Sequence, residues 1–377
     1  MYWRNKILSI LTIVSIVSIF FILSNAVFAG FDSNNNPYRM SIAGKFTNNP
    51  LNFNLKFDNL PKSGRLNDEN MPWADDYYAT VEGGIRNRFQ TGKIPTRFDL
   101  FFMSKNKLKK MKPEEIAKLS PTEKLDIFMG DYNFSFTKEE IDRTKGVCGF
   151  LRGIGKGWWG LCHGWAQAAL QYKEPNCVTV KNSDGIEIKF GSSDVKALLT
   201  YFAGEVCNTK GCSAGTRCEL KNDDPKRKES PSYMDINPGS LLVILANLIP
   251  NNQGFVMDRT SDVQVWNQPV FGYNINVLSE KNVVGGGREI EVELSVDWVT
   301  EQKPNMQPHG KSTRAHRRSD YTAIINVDKQ GNVVDGKWTG DSIDEHPDFI
   351  WMNQTGNMCD YGPRWKALDS IYKKSIE

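Results

Sequence analysis

The spacing of apolar residues changes character several times along the chain. An apolar run from Ile7 to Leu23 follows the cationic Arg4 and Lys6 and leads into Val27-Phe28-Ala29. This order predicts a secretory signal over residues 1–29, cleaved after Ala29. The run is near the ~17-residue minimum of a bilayer span, so an uncleaved anchor is the alternative. In either case the body of the chain is exported. Beyond it, the alternation of Leu51-Asn52-Phe53-Asn54-Leu55-Lys56-Phe57 reads as an edge hairpin or extended lead-in. From Pro72 to Glu139 helical signals dominate. Lys112-Pro113-Glu114-Glu115 and Ser120-Pro121-Thr122-Glu123 put proline at a first helical position, and Thr137-Lys138-Glu139-Glu140 reads as a capping box.

A glycine- and tryptophan-rich stretch from Gly146 to Gly164 runs into the helix formers Trp165 to Tyr172. A strand pair is predicted about Asn182-Ser183-Asp184-Gly185, a helix from Asp194 to Val206 and an apolar helix from Leu241 to Ile249. The last third alternates as strands do, over Gly254 to Asp258, Val263 to Leu278 and Glu289 to Val299. Tyr321 to Val327 and Val333 to Trp338 flank the turn Asp328-Lys329-Gln330-Gly331-Asn332, a hairpin signal. Helices first and an antiparallel sheet afterwards is an α+β plan. The expected division is a signal over 1–29, an extended and helical subdomain over 30–140, and a catalytic domain over 141–377 with a cysteine-rich loop at about 207–230.

Composition narrows the class. The 47 basic and 44 acidic residues leave a net +3, too little to imply nucleic acid or an anionic membrane surface as a partner. No segment after residue 29 is long and apolar enough to cross a membrane, so a soluble mature protein is expected. Seven cysteines in an exported chain leave one unpaired if the others pair. Cys148, Cys177, Cys207, Cys212, Cys218 and Cys359 read as three disulfides of unassigned connectivity, and Cys162 as the thiol left over.

Cys162 has the surroundings of a nucleophile. In Gly157-Trp158-Trp159-Gly160-Leu161-Cys162-His163-Gly164-Trp165-Ala166, glycines let a substrate approach the backbone and aromatics exclude water. The start of a helix favours a thiolate there, and backbone N–H groups can hold an oxyanion. Acyl transfer also needs a base and an orienting carboxylate. Of the four histidines, His163 adjoins the cysteine on the predicted helix, about 100° around it, and reads as a supporting group. His309 reads as an exposed loop residue. Two candidates for the base remain open: His316, at the start of the hairpin whose far end carries Asp341, and His346, set among Asp341, Asp344, Glu345 and Asp348.

Val265-Trp266-Asn267-Gln268-Pro269-Val270-Phe271-Gly272-Tyr273 resembles the elicitor segment of the secreted, calcium-dependent transglutaminases of plant-pathogenic oomycetes, which have relatives in marine bacteria. The cysteine segment Trp159 to Ala166, the stretch Leu119 to Asn133, and Gly336-Lys337-Trp338 with His346 to Trp351 are similar to that family too, so the likeness spans roughly 115 to 355. It implies a papain-like core and cross-linking of protein or peptide glutamine to lysine or other amines, through a thioester on Cys162. Trp159, Trp266, Asn267 and Pro269 would then line the substrate site, Asp258 would be an orienting acid or a calcium ligand, and calcium would be the cofactor. The family's elicitor segment has a basic residue where this chain has Phe271, which puts the elicitor effect in doubt but not the chemistry. Two alternatives stand beside this reading: a papain-like protease or amidase, in which water resolves the acyl enzyme, and a secreted binding protein or effector with no activity.

Overall fold

The structure, a computed structural model, describes residues 30–41, 52–149, 154–207, 209, 211–220, 224–226, 235–310 and 313–377. The signal expected over 1–29 lies outside the described residues. Ten strands are described: β1 (Ser63–Arg65), β2 (Val178–Lys181), β3 (Glu187–Phe190), β4 (Gly211–Gly215), β5 (Phe255–Asp258), β6 (Asn267–Asn282), β7 (Arg288–Val299), β8 (His316–Val327), β9 (Val333–Trp338) and β10 (Phe349–Asn353). Seven form one antiparallel sheet in the order β4-β10-β5-β6-β7-β8-β9, with β1 also paired to β6, while β2 and β3 make a separate hairpin. Alternation sets the faces. Ile290, Val292, Leu294 and Val296 of β7 are all buried, two residues apart.

Helices cover the sheet. Pro238–Leu248 is apolar on nearly all sides, is almost wholly buried, and packs on β9 and β8. The Cys162–Gln171 helix lies on β6 and β5 and against the Ser192–Tyr201 helix. Short helices precede it: Arg97–Phe101, Lys105–Leu108, Pro113–Ile116, Pro121–Phe128 and Ser135–Thr144. Pro113 and Pro121 open their helices, and Ser120 closes a capping box with Glu123. Residues of both expected parts of the chain, from Met40 to Tyr372, join one buried apolar cluster. The α+β class is therefore as the sequence predicts.

Four local expectations are corrected. Phe53 to Phe57 forms no strand of its own. It lies along the β8–β9 turn through an isolated bridge from Lys56 to Asn332 and a bond from the Phe57 N–H to the Gly331 carbonyl, because Phe53 and Phe57 are both buried under that turn. The helix after Phe134 begins at Ser135, so Thr137 is not its cap. Thr137 donates instead to the buried Asp126 at 2.7 Å, and Glu140 turns to Arg143. The helix expected to reach Val206 becomes a π-turn over Phe202–Val206. All seven cysteines are unbonded thiols. Several have other neighbours: Arg86 donates to Cys148 at 3.1 Å, the Gly356 N–H to Cys207 at 2.8 Å, and Cys359 to Asp369 at 3.3 Å.

Candidate active site

The cysteine helix begins where a glycine loop is strapped to the segment at Tyr77. The Leu161 N–H donates to the Tyr77 carbonyl at 2.6 Å, the Thr80 N–H to the Trp159 carbonyl at 2.8 Å, and the Tyr77 hydroxyl to the Gly157 carbonyl at 2.8 Å. A side chain at Gly160 would sit 2.5 Å from the Tyr77 carbonyl oxygen, so only glycine lets the two backbones meet. The Tyr77 segment is held from behind. Buried Asp75 accepts from Ser193 at 2.6 Å and from Tyr78 at 3.1 Å, and lies 3.4 Å from Lys196. Tyr78 itself has φ of 51°, a strained value for a non-glycine residue, adjoining the site.

Cys162 is the first residue of its helix and is 5% exposed. Its Sγ donates to the Val265 carbonyl at 3.7 Å, and the Asn267 Nδ2 approaches the same sulfur at 3.7 Å. Asn267 is fixed by Trp351, whose Nε1 donates to Oδ1 at 2.7 Å and so turns the amide N–H toward the sulfur. The Trp266 ring lies 5.7 Å from the Tyr77 ring. The Trp266 N–H donates to Asp258 at 2.8 Å, which pins the start of β6. Pro269 is buried on the strand face it shares with Asn267, paired with Val256. Trp159 is 41% exposed at the rim, with Lys156 over its ring.

The imidazole beside the sulfur is that of His163. Its other neighbour is Glu205, Nε2 to Oε1 3.6 Å. Glu205 stands on the π-turn, whose wider winding also brings Gly204 under the His163 ring, and π-turns of this kind recur at functional sites. Gly164 and Gly204 make the crossing possible, since a side chain on Gly164 would sit 2.3 Å from the Thr200 carbonyl. Burial pulls the His163 pKa down, but the hydrogen bonds and charges of Cys162 and Glu205 outweigh it and hold the group at about 9. Glu205 is lowered, first by the same hydrogen bond.

The two histidines favoured in the sequence sit elsewhere. His346 is fully buried: Nδ1 is 2.9 Å from the Ser342 carbonyl, Nε2 is 3.4 Å from Asp235, and the ring stacks on Trp338 at 5.6 Å. His316 opens β8 opposite Val299, 4.7 Å from the Phe271 ring, with its pKa lowered by burial and then by Arg65. Asp341 is exposed at the end of the hairpin, level with Thr322, whose N–H binds the adjacent Ser342. Six residues of strand, about 20 Å, separate that level from His316, so the two are not brought together. His309 lines a cavity of about 610 Å³ with Arg65, Trp73, Lys173 and His316.

Sequence reasoning passed over His163, Glu205, Tyr77 and Trp351. Trp351 lies in a motif the sequence did single out, whereas Glu205 carries no signal at all, because its position depends on the π-turn. The calcium implied by the resemblance was tested against the buried acids. Asp258 is wholly buried, with Oδ2 unpartnered, and burial, then the charge of Asp348, raises its pKa to about 8 despite the Trp266 N–H. Among the described residues no group of three Asp, Glu, His or Cys side chains that could hold a metal is found, and no step is drawn through calcium.

The profile of the transglutaminase elicitor family matches residues 44–289 and 287–360, reaching further toward the N terminus than the motifs alone. No curated protein matches the chain. Among solved structures the fold is similar to the GP42 transglutaminase from Phytophthora sojae, with a TM-score of 0.65 and 18% identity, over 91% of this chain and 99% of that one. A thiol at a helix start, met by residues of the Val265–Tyr273 run, thus lies within a match that spans most of the sequence: the chain belongs to the transglutaminase elicitor family.

Proposed function

We propose that this protein is a secreted transglutaminase that joins glutamine side chains of proteins or peptides to primary amines. The observation that carries the reading is the convergence of the Asn267 amide and the His163 imidazole on the Cys162 sulfur, at the N-terminus of a helix. Cys162 attacks the glutamine carboxamide as a thiolate, its proton having passed to His163. The carbonyl oxygen takes up negative charge as the C–S bond forms, and the Asn267 N–H is placed to receive it. The C–N bond then breaks, His163 returns its proton to the departing nitrogen, ammonia leaves, and a thioester remains. A lysine amine attacks that thioester, His163 takes the amine's proton, and the C–S bond breaks to regenerate Cys162 and release the isopeptide. Glu205 holds the imidazole in place and stabilises its charged form. The Tyr77 and Trp266 rings, 5.7 Å apart on the segments that adjoin Cys162, are the groups we assign to keep water from the thioester so that amines compete for it.

The test is incorporation of a fluorescent primary amine into casein by the purified protein and by Cys162→Ser, with calcium and with chelator. We expect incorporation by the parent and a loss of at least about 10³-fold in the variant. Deamidation or cleavage without incorporation would turn the reading to a hydrolase. Equal inactivity of both proteins would turn it to a binding protein.

A further inference from the structure

The helical region before the cysteine has an outer face that the chemistry does not use. Phe98, Phe101 and Phe102 are 73%, 81% and 51% exposed. Apolar side chains this exposed occur singly on most proteins, but these three touch one another, with ring centroids 4.9 Å and 5.3 Å apart. The base of the cluster is firm. Leu100, Met103 and Leu108 are buried beneath it, and Thr96 and Asp99 close a capping box at its start. The rings therefore project from an anchored support.

Basic residues flank them along the chain. Residues 93–112 hold Lys93, Arg97, Lys105, Lys107, Lys109, Lys110 and Lys112 against a single acid, Asp99. This stretch carries a net +6, or +4 once its ion-pair partners Asp142 and Asp184 are counted, in a chain whose total is +3, so the low overall charge conceals a basic patch. All seven cations are exposed. Lys93 pairs with Asp99, Arg97 with Asp142, and both Lys105 and Lys109 with Asp184, while Lys107, Lys110 and Lys112 make no ion pair among the described residues. Lys107 is five residues from Phe102, and its backbone can lie no more than about 18 Å from it.

We propose that this patch docks the protein on an anionic lipid bilayer, the three phenylalanines entering the interface and the lysines meeting the headgroup phosphates. The charge selects an anionic surface and the rings select a bilayer. The cluster is exposed at all three rings. Its rings meet edge to face, at 79° and 89°, and offer no parallel faces for stacking nucleobases. The docking is peripheral, since no described helix is long and apolar enough to cross a membrane.

Vesicle flotation tests it, using the purified protein with phosphatidylcholine vesicles, with and without phosphatidylglycerol. Any retained N-terminal apolar segment is common to all variants, so the comparison between variants isolates the patch. We expect binding only when phosphatidylglycerol is present. Lys107→Gln, Lys110→Gln and Lys112→Gln together should weaken it about 100-fold, at about 5-fold for each lysine. Phe98→Ser, Phe101→Ser and Phe102→Ser together should abolish it, with the thermal midpoint and the amine incorporation into casein unchanged. Equal binding to both vesicles, binding to neither, or binding that survives loss of the phenylalanines would overturn the proposal. Retention on heparin or on an oligonucleotide with no lipid binding would overturn it in favour of a soluble polyanion.

Discussion

His163 and His346 are both imidazoles set against a carboxylate, and their surroundings differ. His163 keeps over a third of its side chain in solvent, beside the sulfur, with Glu205 behind it. His346 is sealed between Trp338, Ser342 and Asp235. A proton-transfer group must reach a substrate, whereas a buried pair ties segments of chain together, here residue 235 to the turn at 340–343. The same two residue types thus separate by burial into a chemical pair and a fastening.

Mutating the two sites should break or sharpen that contrast. His163→Gln should lower the rate of thioester formation, read as ammonia release in the first turnover, by about 10²–10⁴-fold while leaving the thermal midpoint nearly in place. His346→Gln should do the reverse, costing about 2–4 kcal/mol of stability by opening a buried polar pair, with near-normal turnover per folded molecule. A folded but inactive His346→Gln would reverse the assignment. The pH profile sharpens it. The His163 imidazolium, held at about 9, persists until pH rises through that value, so acylation should fall above it. Glu205→Gln removes part of that hold and should move the fall to lower pH.

A second contrast sets Asn267 against Asp258, neighbours across β5 and β6. Asn267→Ala removes the donor at the sulfur and should cost about 10²–10³-fold in kcat. Asp258 should affect stability instead. Its pKa is about 8 folded and near 3.8 unfolded, so between those values the folded state binds the extra proton and stability falls as pH rises. Asp258→Asn keeps an oxygen for the Trp266 N–H and should flatten that fall, a gain of roughly 1–3 kcal/mol at pH 8. An unchanged slope of thermal midpoint against pH would show that another group carries it.

Much of the fold was legible because burial follows period. The β6 to β9 meander appears as alternation, and Pro113 and Pro121 mark helix starts that hold. Where the local pattern was ambiguous, packing decided: Phe53 and Phe57 alternate like a strand yet are both drawn beneath a neighbouring turn, and Thr137 caps nothing because Asp126 takes its hydroxyl. The nucleophile was legible, since glycines, tryptophans and a helix start all flank it in sequence. Its partners were not. An average 100° step set His163 aside, but Cys162 is the helix's first residue and Glu205, swung in by the π-turn, gives the ring a second anchor. Trp351 reaches Asn267 from 84 positions away, a distance no local pattern records.

Phe271 shows how this segment can and cannot be recognised from outside. It is 1% exposed, with Arg65 over its ring, and Asn267, Gln268, Val270 and Tyr273 are buried with it in a strand flanked by β5 and β7. The part of the family's stretch that runs in β6, from Asn267 to Tyr273, is therefore hidden while the chain is intact. An antibody or a receptor that reads these residues in order would meet them only after proteolysis has released the strand, so the epitope reports breakdown of the protein and not its presence.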